Sequence, residues 1–383
     1  MNPEDFHSSP SGQIASTING QFGFVPNPLP PNLDLRPHVP LLQEAAMALG
    51  ELNGIGRALP NPYVLIRPIQ RREAVASSNI EGTVTSLSDL LLLEEGAAER
   101  ERPADTREVL NYVRALEKGI ARLDELPLCL RIIREIHETL LSGVQKHRGS
   151  RITPGEFRRE QNWIGGSKIE DARFIPPPPN HMIECLDSFE KFLQSDPTIE
   201  TPPIVKAALL HYQFETIHPF PDGNGRVGRL LIPLFLTEKK VLSQPILYMS
   251  AYFERHRDEY IDRMYKVSLE GAWSGWISFF VRGVMDSCND TIGRARQLQD
   301  LQNEYRQRIQ QARASALLPR LVDLIFERPV ITVRAAQEAL GVTYRSAQLN
   351  VEKLVKEGIL TEAISDRPKF YAAYQVLDIV HDA

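Results

Sequence analysis

The chain has 383 residues, of which 42% are hydrophobic and 24% are charged, and its formal net charge is −5. This length allows two or three domains, and the mildly acidic total does not support nucleic-acid binding by the whole chain. No apolar run reaches the about 18 residues of a transmembrane helix, and the first residues lack the pattern of a secretory signal. The 3 widely spaced cysteines argue against a disulfide framework and a structural zinc site. We therefore expect a cytoplasmic protein with no membrane segment.

The N-terminal quarter is predicted to begin with an arm and to continue as helices. Residues 1–35 are rich in Pro, Ser, Asn and Gly, a composition typical of an extended arm rather than a packed element. Apolar residues at helical spacing predict helices over residues 39–59, 62–79 and 86–93. Residues 36–100 are therefore predicted to form an N-terminal helical region.

The middle of the chain, residues 101–313, is predicted to be a helical core with one β-hairpin. Gly, Pro and aromatic residues crowd the stretch 151–179, which suits a hairpin followed by an extended run. Helices are predicted on both sides of this stretch, over residues 106–123, 130–143, 181–194, 203–217, from about 225 to 240, 251–269 and 273–312.

The last segment, residues 314–383, is predicted to be a separate module of winged-helix type. A helix is followed by a helix–turn–helix pattern and by the strand-like sequence FYAAYQV. The predicted recognition helix, Thr343–Glu357, offers five polar side chains for groove and phosphate contacts: Tyr344, Arg345, Gln348, Asn350 and Lys353. From Arg320 onward, however, 8 Lys and Arg are balanced by 9 Asp and Glu, whereas DNA-reading domains are usually basic. DNA binding and a packing, dimerisation or docking role therefore both stay open.

One segment, with the sequence HPFPDGNGRVGR, concentrates residues that suit phosphate chemistry. Gly223, Asn224 and Gly225 permit left-handed backbone conformations directly before an apolar helix, so that consecutive N–H groups can converge on an anion. Arg226 and Arg229 lie three positions apart on one helix face and can present two guanidinium groups to phosphate oxygens.

Two further side chains of this segment supply a base and a metal ligand. The neutral imidazole of His218 can accept a proton near pH 7. Asp222 stands at the mouth of the glycine turn, where a single carboxylate suits a Mg²⁺ ion that is shared with phosphates and water. Taken singly, each feature also fits an ordinary loop or a surface ion pair. Their combination favours a triphosphate site, and the spacing is not that of a Walker loop.

The same segment matches the Fic family signature, H-x-F-x-[DE]-G-N-G-R-x-x-R, at every defined position. The stretches PGEFRREQNWIGG, ARFIPPPP, ILYMSAYFERHRDEY and WSGWISFFVRGV also resemble Fic proteins, so that the similarity covers roughly residues 40–310. The resemblance implies a mainly α fold with a Fic-type helical core and a β-hairpin flap. It also implies transfer of AMP from ATP to a protein hydroxyl with the help of Mg²⁺.

The resemblance implies a role for each position of the signature. His218 would be the base that deprotonates the target hydroxyl, Phe220 would anchor the loop in the core, and Asp222 would hold Mg²⁺. Arg226 would bind the β-phosphate and Arg229 the γ-phosphate. The nucleotide-binding stretch as a whole comprises Gly223, Asn224, Gly225, Arg226, Val227, Gly228 and Arg229.

Other positions also receive roles from the resemblance. Tyr260 is expected near the adenine, although Ile261 follows it where related chains often carry a second Tyr. Gly225 argues against the relatives that phosphorylate and carry Lys at this position, whereas phosphocholine transfer is compatible with the phosphate-binding turn. The flap, which would hold a target segment by strand pairing, consists of Trp163, Ile164, Gly165 and Gly166.

Residues 77–82, Ser-Ser-Asn-Ile-Glu-Gly, match the inhibitory pattern [ST]-x-x-x-E-[GN] of many Fic proteins, with Ser77 first, Glu81 as the acid and Gly82 last. A carboxylate beside Arg229 would form a bidentate ion pair and occupy the guanidinium that receives the γ-phosphate. The same letters would also suit a plain helix end with a solvated Glu81.

The sequence therefore predicts an autoinhibited protein adenylyltransferase acting on a Ser, Thr or Tyr hydroxyl. One alternative is removal of AMP, with Glu81 aligning a water molecule. Another is a DNA-binding regulator in which the Fic core senses a nucleotide. Self-modification and a homodimer are further expectations from the resemblance.

Overall fold

A computed structural model of the protein describes residues 1–18, 20–58, 62–98, 105–144, 153–311, 317–364 and 368–381. Within these residues the fold is mainly α, as predicted, with fifteen α-helices and five short strands. None of the helices in these ranges is both long and apolar enough to cross a lipid bilayer.

All helices but the last agree with the predicted ones apart from a few terminal residues, and the last one, Tyr374–His381, is not predicted. The main difference is that the helix predicted over residues 251–269 is broken at His256 into two. The helices are α1 (Val39–Ala58), α2 (Tyr63–Ile80), α3 (Leu87–Glu94), α4 (Thr106–Leu123), α5 (Leu130–Leu140), α6 (Pro179–Gln194), α7 (Pro203–Ile217), α8 (Asn224–Glu238), α9 (Ser250–Arg255), α10 (Arg257–Glu270), α11 (Trp273–Gln311), α12 (Leu318–Glu327), α13 (Val333–Leu340), α14 (Tyr344–Lys356) and α15 (Tyr374–His381).

The chain divides into two compact units, one formed by Met1–Gly50 with Arg114–Ser287 and the other by Glu51–Val113 with Cys288–Ala383. These boundaries differ from the predicted ones. Most of the region predicted as 36–100 shares a unit with the C-terminal module, because α2 packs against α12 and α15. Local periodicity cannot reveal such a contact between distant parts of the chain.

The first unit is built around α7, on which residues of every helical face are buried. A helix that is buried on all sides needs partners on all sides, and α6 and α8 pack against it. On α11, the indole N–H of Trp276 donates to the carbonyl of Ala208 at 3.0 Å, which fixes α11 to α7. This arrangement places the C-terminus of α7 and the N-terminus of α8 side by side.

The N-terminal residues are not the extended arm that their composition predicted. A 3₁₀ helix at Pro3–Phe6 leads into an antiparallel hairpin of β1 (Gly12–Ser16) and β2 (Phe22–Pro26). The side chains of Phe6 and Phe24 are completely buried. Burial of two aromatic rings stabilises this segment, although Pro, Ser and Asn dominate its composition.

The predicted hairpin in the middle of the chain is smaller than expected. Its only pairing among the described residues is an isolated antiparallel bridge between Ile164 and Phe174. Gly165 and Gly166 turn the chain with φ of 72° and 86°, and the run of prolines that follows Ile175 lacks the N–H groups that a longer ladder needs.

In the second unit the C-terminal module has a three-stranded antiparallel sheet. The strands are β3 (Val330–Thr332), β4 (Thr361–Ile364) and β5 (Phe370–Ala372), in the order β3–β5–β4. The predicted strand FYAAYQV ends at Ala372, and α15 follows. The predicted groove contact from Asn350 is wrong, because this side chain is 4% exposed and donates to the Ser346 carbonyl at 2.8 Å.

Candidate active site

The predicted phosphate loop joins α7 to α8 and is shaped by two left-handed residues. His218 caps α7 with φ of 49° and ψ of 60°, and its N–H donates to the Phe214 carbonyl at 2.9 Å. Gly223 precedes α8 with φ of 78°. Left-handed backbone is costly for a residue with a Cβ, so the conformation of His218 must be held by its surroundings.

The side chain of Asn224 closes this loop on itself. Its Oδ1 accepts from the Phe220 N–H and its Nδ2 donates to the Phe220 carbonyl, both at 2.8 Å. Asn224 is 1% exposed. Most of the amide is thus used within the loop, and the contribution of Asn224 to an anion rests mainly on its main-chain N–H at the start of α8.

A buried histidine that the sequence reasoning missed packs against the loop and bonds to its main chain. The ring of His137, on α5, stacks on the ring of Phe220 with centroids 3.7 Å apart. Its Nδ1 accepts from the Gly155 N–H at 2.9 Å, so its Nε2 carries the proton and donates to the Asp222 carbonyl at 3.0 Å. Burial lowers the pKa of His137 to about 4, which keeps the ring neutral.

The predicted base, His218, is half-buried and has a defined tautomer. Its Nδ1 lies 3.2 Å from the Glu215 carbonyl, which can only accept a hydrogen bond. The proton of the neutral ring is therefore on Nδ1. Nε2 consequently carries the lone pair, which is the form that a general base requires.

The main chain of His218 is held by two residues that the sequence reasoning did not single out. The carbonyl of His218 accepts from Arg158 Nε at 2.9 Å and from Asn162 Nδ2 at 3.2 Å. Arg158 is 4% exposed and also donates to the carbonyls of Pro177 at 2.5 Å and Glu160 at 3.1 Å. These contacts fix the left-handed residue that carries the base.

Positive charge is concentrated at the start of α8. Arg226 and Arg229 are 3% and 2% exposed, as expected for guanidinium groups held inside a site. Arg226 Nη2 lies 3.8 Å from Asp222 Oδ1, which also accepts from the Gly223 N–H at 2.6 Å. The arginines and the N-terminus of α8 are groups that could bind an anion, and the carboxylate of Asp222 lies beside them.

Gly228 and Tyr260 serve the packing of α8. A Cβ on Gly228 would overlap Glu215 Oε1 and lie 3.2 Å from the Phe214 ring, so that any larger residue here would displace the Glu215 side chain. The Gly228 carbonyl accepts from His211 Nδ1 at 3.0 Å, and the Tyr260 hydroxyl donates to His211 Nε2 at 2.7 Å. Tyr260 is 3% exposed and stacks on Phe253, so the structure places it within an aromatic cluster that supports α8.

The predicted flap lies in the same unit as the loop. Ile164 exchanges two main-chain hydrogen bonds with Phe174, at 2.9 Å and 3.1 Å. Trp163, Gly165 and Gly166 are exposed. Asn162, which immediately precedes the flap, also donates to the Phe220 carbonyl at 3.1 Å, and so ties the flap to the phosphate loop.

The predicted inhibitory motif forms the C-terminal end of α2, in the second unit. Ser77 is completely buried, and Glu81 is the C-cap. Gly82 has φ of 82°, and the Thr83 N–H donates to the Ser78 carbonyl at 3.1 Å, which is the Schellman type of helix end. This geometry explains why glycine follows Glu81, whereas the inhibitory role itself stays a prediction.

Two family models match the chain. Residues 39–121 match the model of the Fic/DOC family N-terminal region, and residues 127–236 match that of the Fic/DOC family. Together the two matches cover just over half of the chain, including the phosphate loop and the SSNIEG motif.

Curated relatives named protein adenylyltransferase Fic align with part of the chain. The protein from Culex quinquefasciatus is 30% identical over 246 residues, which are 61% of this chain and 45% of that protein. The Aedes aegypti protein is 33% identical over 165 residues, or 43% of this chain and 28% of that protein. The chain thus spans less than half the length of these relatives.

Solved structures of Fic proteins share the fold. A Fic family protein from Desulfovibrio desulfuricans G20 superposes with a TM-score of 0.58 at 18% identity, covering 90% of this chain and 98% of that one. Fic-1 from C. elegans gives a TM-score of 0.52 at 21% identity, covering 67% and 74%.

Proposed function

Since the chain belongs to the Fic/DOC family, we propose that it is a protein adenylyltransferase that uses Mg·ATP to modify a Ser, Thr or Tyr hydroxyl of a target protein. The observation that carries this proposal is the contact of 3.2 Å between His218 Nδ1 and the Glu215 carbonyl. In the neutral ring this contact leaves the lone pair on Nε2, and His218 belongs to the loop that leads into the N-terminus of α8. A base next to a phosphate cradle suits attack by a hydroxyl on phosphorus.

In the proposed reaction the target hydroxyl oxygen attacks the α-phosphorus of ATP, and its proton passes to His218 Nε2. The new bond joins the hydroxyl oxygen to the α-phosphorus. The bond between the α-phosphorus and the oxygen that bridges to the β-phosphate breaks, and pyrophosphate leaves. Arg226, Arg229 and the N–H groups at the start of α8 would hold the β- and γ-phosphates in line and balance the charge on the leaving group.

The residues present fit a magnesium ion carried by the nucleotide. Mg²⁺ commonly takes one or two carboxylates and completes its shell with phosphates and water. Asp222 is the single acid of the loop, and the described residues contain no cluster of three or more metal-binding side chains. When bound, Mg²⁺ would neutralise phosphate charge, and the part of Asp222 would be to hold it at the rim of the site.

We further propose that Glu81 inhibits the transfer by pairing with Arg229. An ion pair there would prevent Arg229 from binding the γ-phosphate and turn the α-phosphate out of line for attack. In the alternative reaction, removal of AMP, Glu81 aligns a water molecule. The two roles predict opposite effects of losing the carboxylate.

The experiment is transfer of label from α-labelled ATP to protein, with γ-labelled ATP as the control. It compares the wild type, Glu81→Gly, and Glu81→Gly combined with His218→Ala. Adenylyl transfer predicts strong α-label only in Glu81→Gly, lost together with His218. Removal of AMP predicts instead that Glu81→Gly loses activity toward an adenylylated protein. Absence of α-label from every variant, with a lysate supplying targets and the protein itself available as an acceptor, would refute the proposal.

A second candidate function, a DNA-binding regulator with a nucleotide-sensing core, is supported by the C-terminal module. Its helix–strand–helix–helix–strand–strand order is that of a winged helix, and Tyr344, Arg345 and Lys353 are exposed on α14. Selection of bound sequences from random duplex DNA tests it, with His218→Ala expected to bind as the wild type does. A homodimer and a cytoplasmic location also belong to the proposal.

A further inference from the structure

The flap by itself has little main-chain pairing to hold it in one conformation. In the part of the chain that the structure describes, its pairing consists of one bridge, between Ile164 and Phe174. A two-stranded ribbon is marginally stable at best in water, and three or more strands with an apolar face are needed for stable order. A surface that must offer its main chain to a partner in a fixed position therefore needs support from elsewhere in the fold.

The N-terminal hairpin lies against the opposite side of the flap. The Phe24 N–H on β2 donates to the Ile175 carbonyl at 2.8 Å, immediately after the bridge residue Phe174. Gly23 permits this approach, because a Cβ there would stand 2.5 Å from the Pro176 carbonyl oxygen. The main chains therefore follow the order flap, residues 174–175, β2 and β1.

Apolar packing joins these segments on one face. Phe6, Phe24 and Phe174 form a buried cluster in which the ring centroids of Phe24 lie 5.5 Å from Phe6 and 5.8 Å from Phe174. Ile164 of the flap and Tyr265 of α10 pack against the cluster. The hairpin thus supplies both the additional strands and the apolar face that the flap lacks.

We propose that the N-terminal hairpin, residues 12–26, is a brace that holds the outer edge of the flap in position for the target main chain. In an extended strand the main-chain groups of successive residues point to opposite edges. Ile164 uses its groups on Phe174, so those of the preceding residue, Trp163, are expected to point to the outer edge. The docking role of this edge rests on the proposed function, whereas the bracing does not.

Hydrogen exchange of the full-length protein, followed by mass spectrometry, tests the brace directly. Phe24→Ala removes the buried ring, and Phe22→Ala is the matched control, because Phe22 lies on the same strand and is 40% exposed. Gly23→Ala is a second variant that leaves the aromatic cluster intact and pushes β2 away from Pro176. We expect the peptide containing residues 163–175 to exchange about tenfold faster or more in Phe24→Ala and Gly23→Ala, and at the wild-type rate in Phe22→Ala.

Two further readouts separate bracing from general damage and from catalysis. The affinity for α,β-methylene-ATP is expected to be unchanged, because no residue of the cluster is among those proposed to hold the phosphates. Label transfer to protein in the Glu81→Gly background is expected to fall in the two brace variants only. Unchanged exchange of the flap in both variants would overturn the inference. If the flap exchanged faster in both variants but no variant transferred α-label from ATP to protein, the proposed function would be refuted and the bracing role of the hairpin would be supported.

Discussion

The contact between Arg158 and the base predicts a large loss of activity from a substitution away from the nucleotide. Arg158→Gln removes a guanidinium that donates hydrogen bonds to three main-chain carbonyls. These are the carbonyls of His218 at 2.9 Å, Pro177 at 2.5 Å and Glu160 at 3.1 Å. A hydrogen bond to a charged group contributes about 1.5 kcal/mol or more, so the loss of three such bonds should lower the free energy of unfolding by about 4.5 kcal/mol or more. Burial lowers the pKa of Arg158 only to about 10, so that the charge is present at neutral pH.

Activity should fall for a separate reason. Without Arg158 the left-handed conformation of His218 is held mainly by Asn162, and a displacement of about 1 Å in a catalytic group costs about 100-fold in rate. We therefore expect kcat for transfer of α-label, measured in the Glu81→Gly background, to fall about 100-fold. The affinity for α,β-methylene-ATP should change by less than about twofold, because Arg226 and Arg229 are untouched.

The neighbouring residue provides the control. Arg159 has the same chemistry, but its side chain is 85% exposed and its ion pair with Glu156 is 3.5 Å long. Arg159→Gln should change stability by less than about 0.5 kcal/mol and leave kcat unaltered. Urea unfolding and transfer kinetics are measured on both variants under conditions where circular dichroism shows each to be folded. Equal kcat values for the two variants would refute the positioning role of Arg158.

Three further outcomes follow from buried contacts. Burial holds the pKa of His137 at about 4, below the ordinary 6.5, so its contribution to stability is complete above about pH 6.5 and is lost as the pH falls toward 4. Urea titrations should show a difference of about 3 kcal/mol in this window that is absent from His137→Gln. Gly228→Ala, which forces a Cβ onto Glu215, should lower the melting temperature by several degrees. Tyr260→Phe should cost about 1–3 kcal/mol, because it leaves His211 Nε2 without its donor, and should change the affinity for α,β-methylene-ATP little.

Each of these outcomes has a control or a contradicting result. Gly50→Ala adds a Cβ on the exposed side of α1 with nothing within 4 Å, and should raise the free energy of unfolding by about 0.5–1 kcal/mol. A Gly228→Ala protein as stable as Gly50→Ala would contradict the cost expected from displacing the Glu215 side chain. If the free energy of unfolding changed with pH in the same way in the wild type and in His137→Gln, the ring of His137 would not be held neutral by burial. A large loss of nucleotide affinity in Tyr260→Phe would instead favour the adenine contact expected from the sequence.

Local patterns were sufficient for most of the helices and for the phosphate loop. Apolar periodicity predicts α7 and α8, and the glycines after Asp222 predict the turn between them. The supports of that turn could not be predicted, because they come from distant parts of the chain. Arg158 and His137 lie 60 and 85 positions from the carbonyls to which they donate, and neither has a spacing that marks it.

The sequence of the N-terminal hairpin contains a turn signal, although its overall composition favours an extended arm. The five residues between GQIAS and FGFVP, TINGQ, contain an Asn-Gly pair at positions 19–20, and Asn-Gly between two short apolar segments indicates a β-hairpin. The overall excess of Pro and Ser favoured an arm instead. The burial of Phe6 and Phe24 depends on their contact with Phe174, which no local window contains.

The closed loop around Asn224 has a consequence for how Fic signatures are interpreted. The ring of Phe220 stacks on His137, and the side chain of Asn224 bonds both main-chain groups of Phe220. These two residues of the signature therefore determine the backbone conformation of the loop. A chain that transfers a different phosphate-linked group needs the same turn and would retain the same two letters. Choice of donor must therefore be encoded outside them, and a search for it should begin with residues whose side chains point toward the base of the nucleotide.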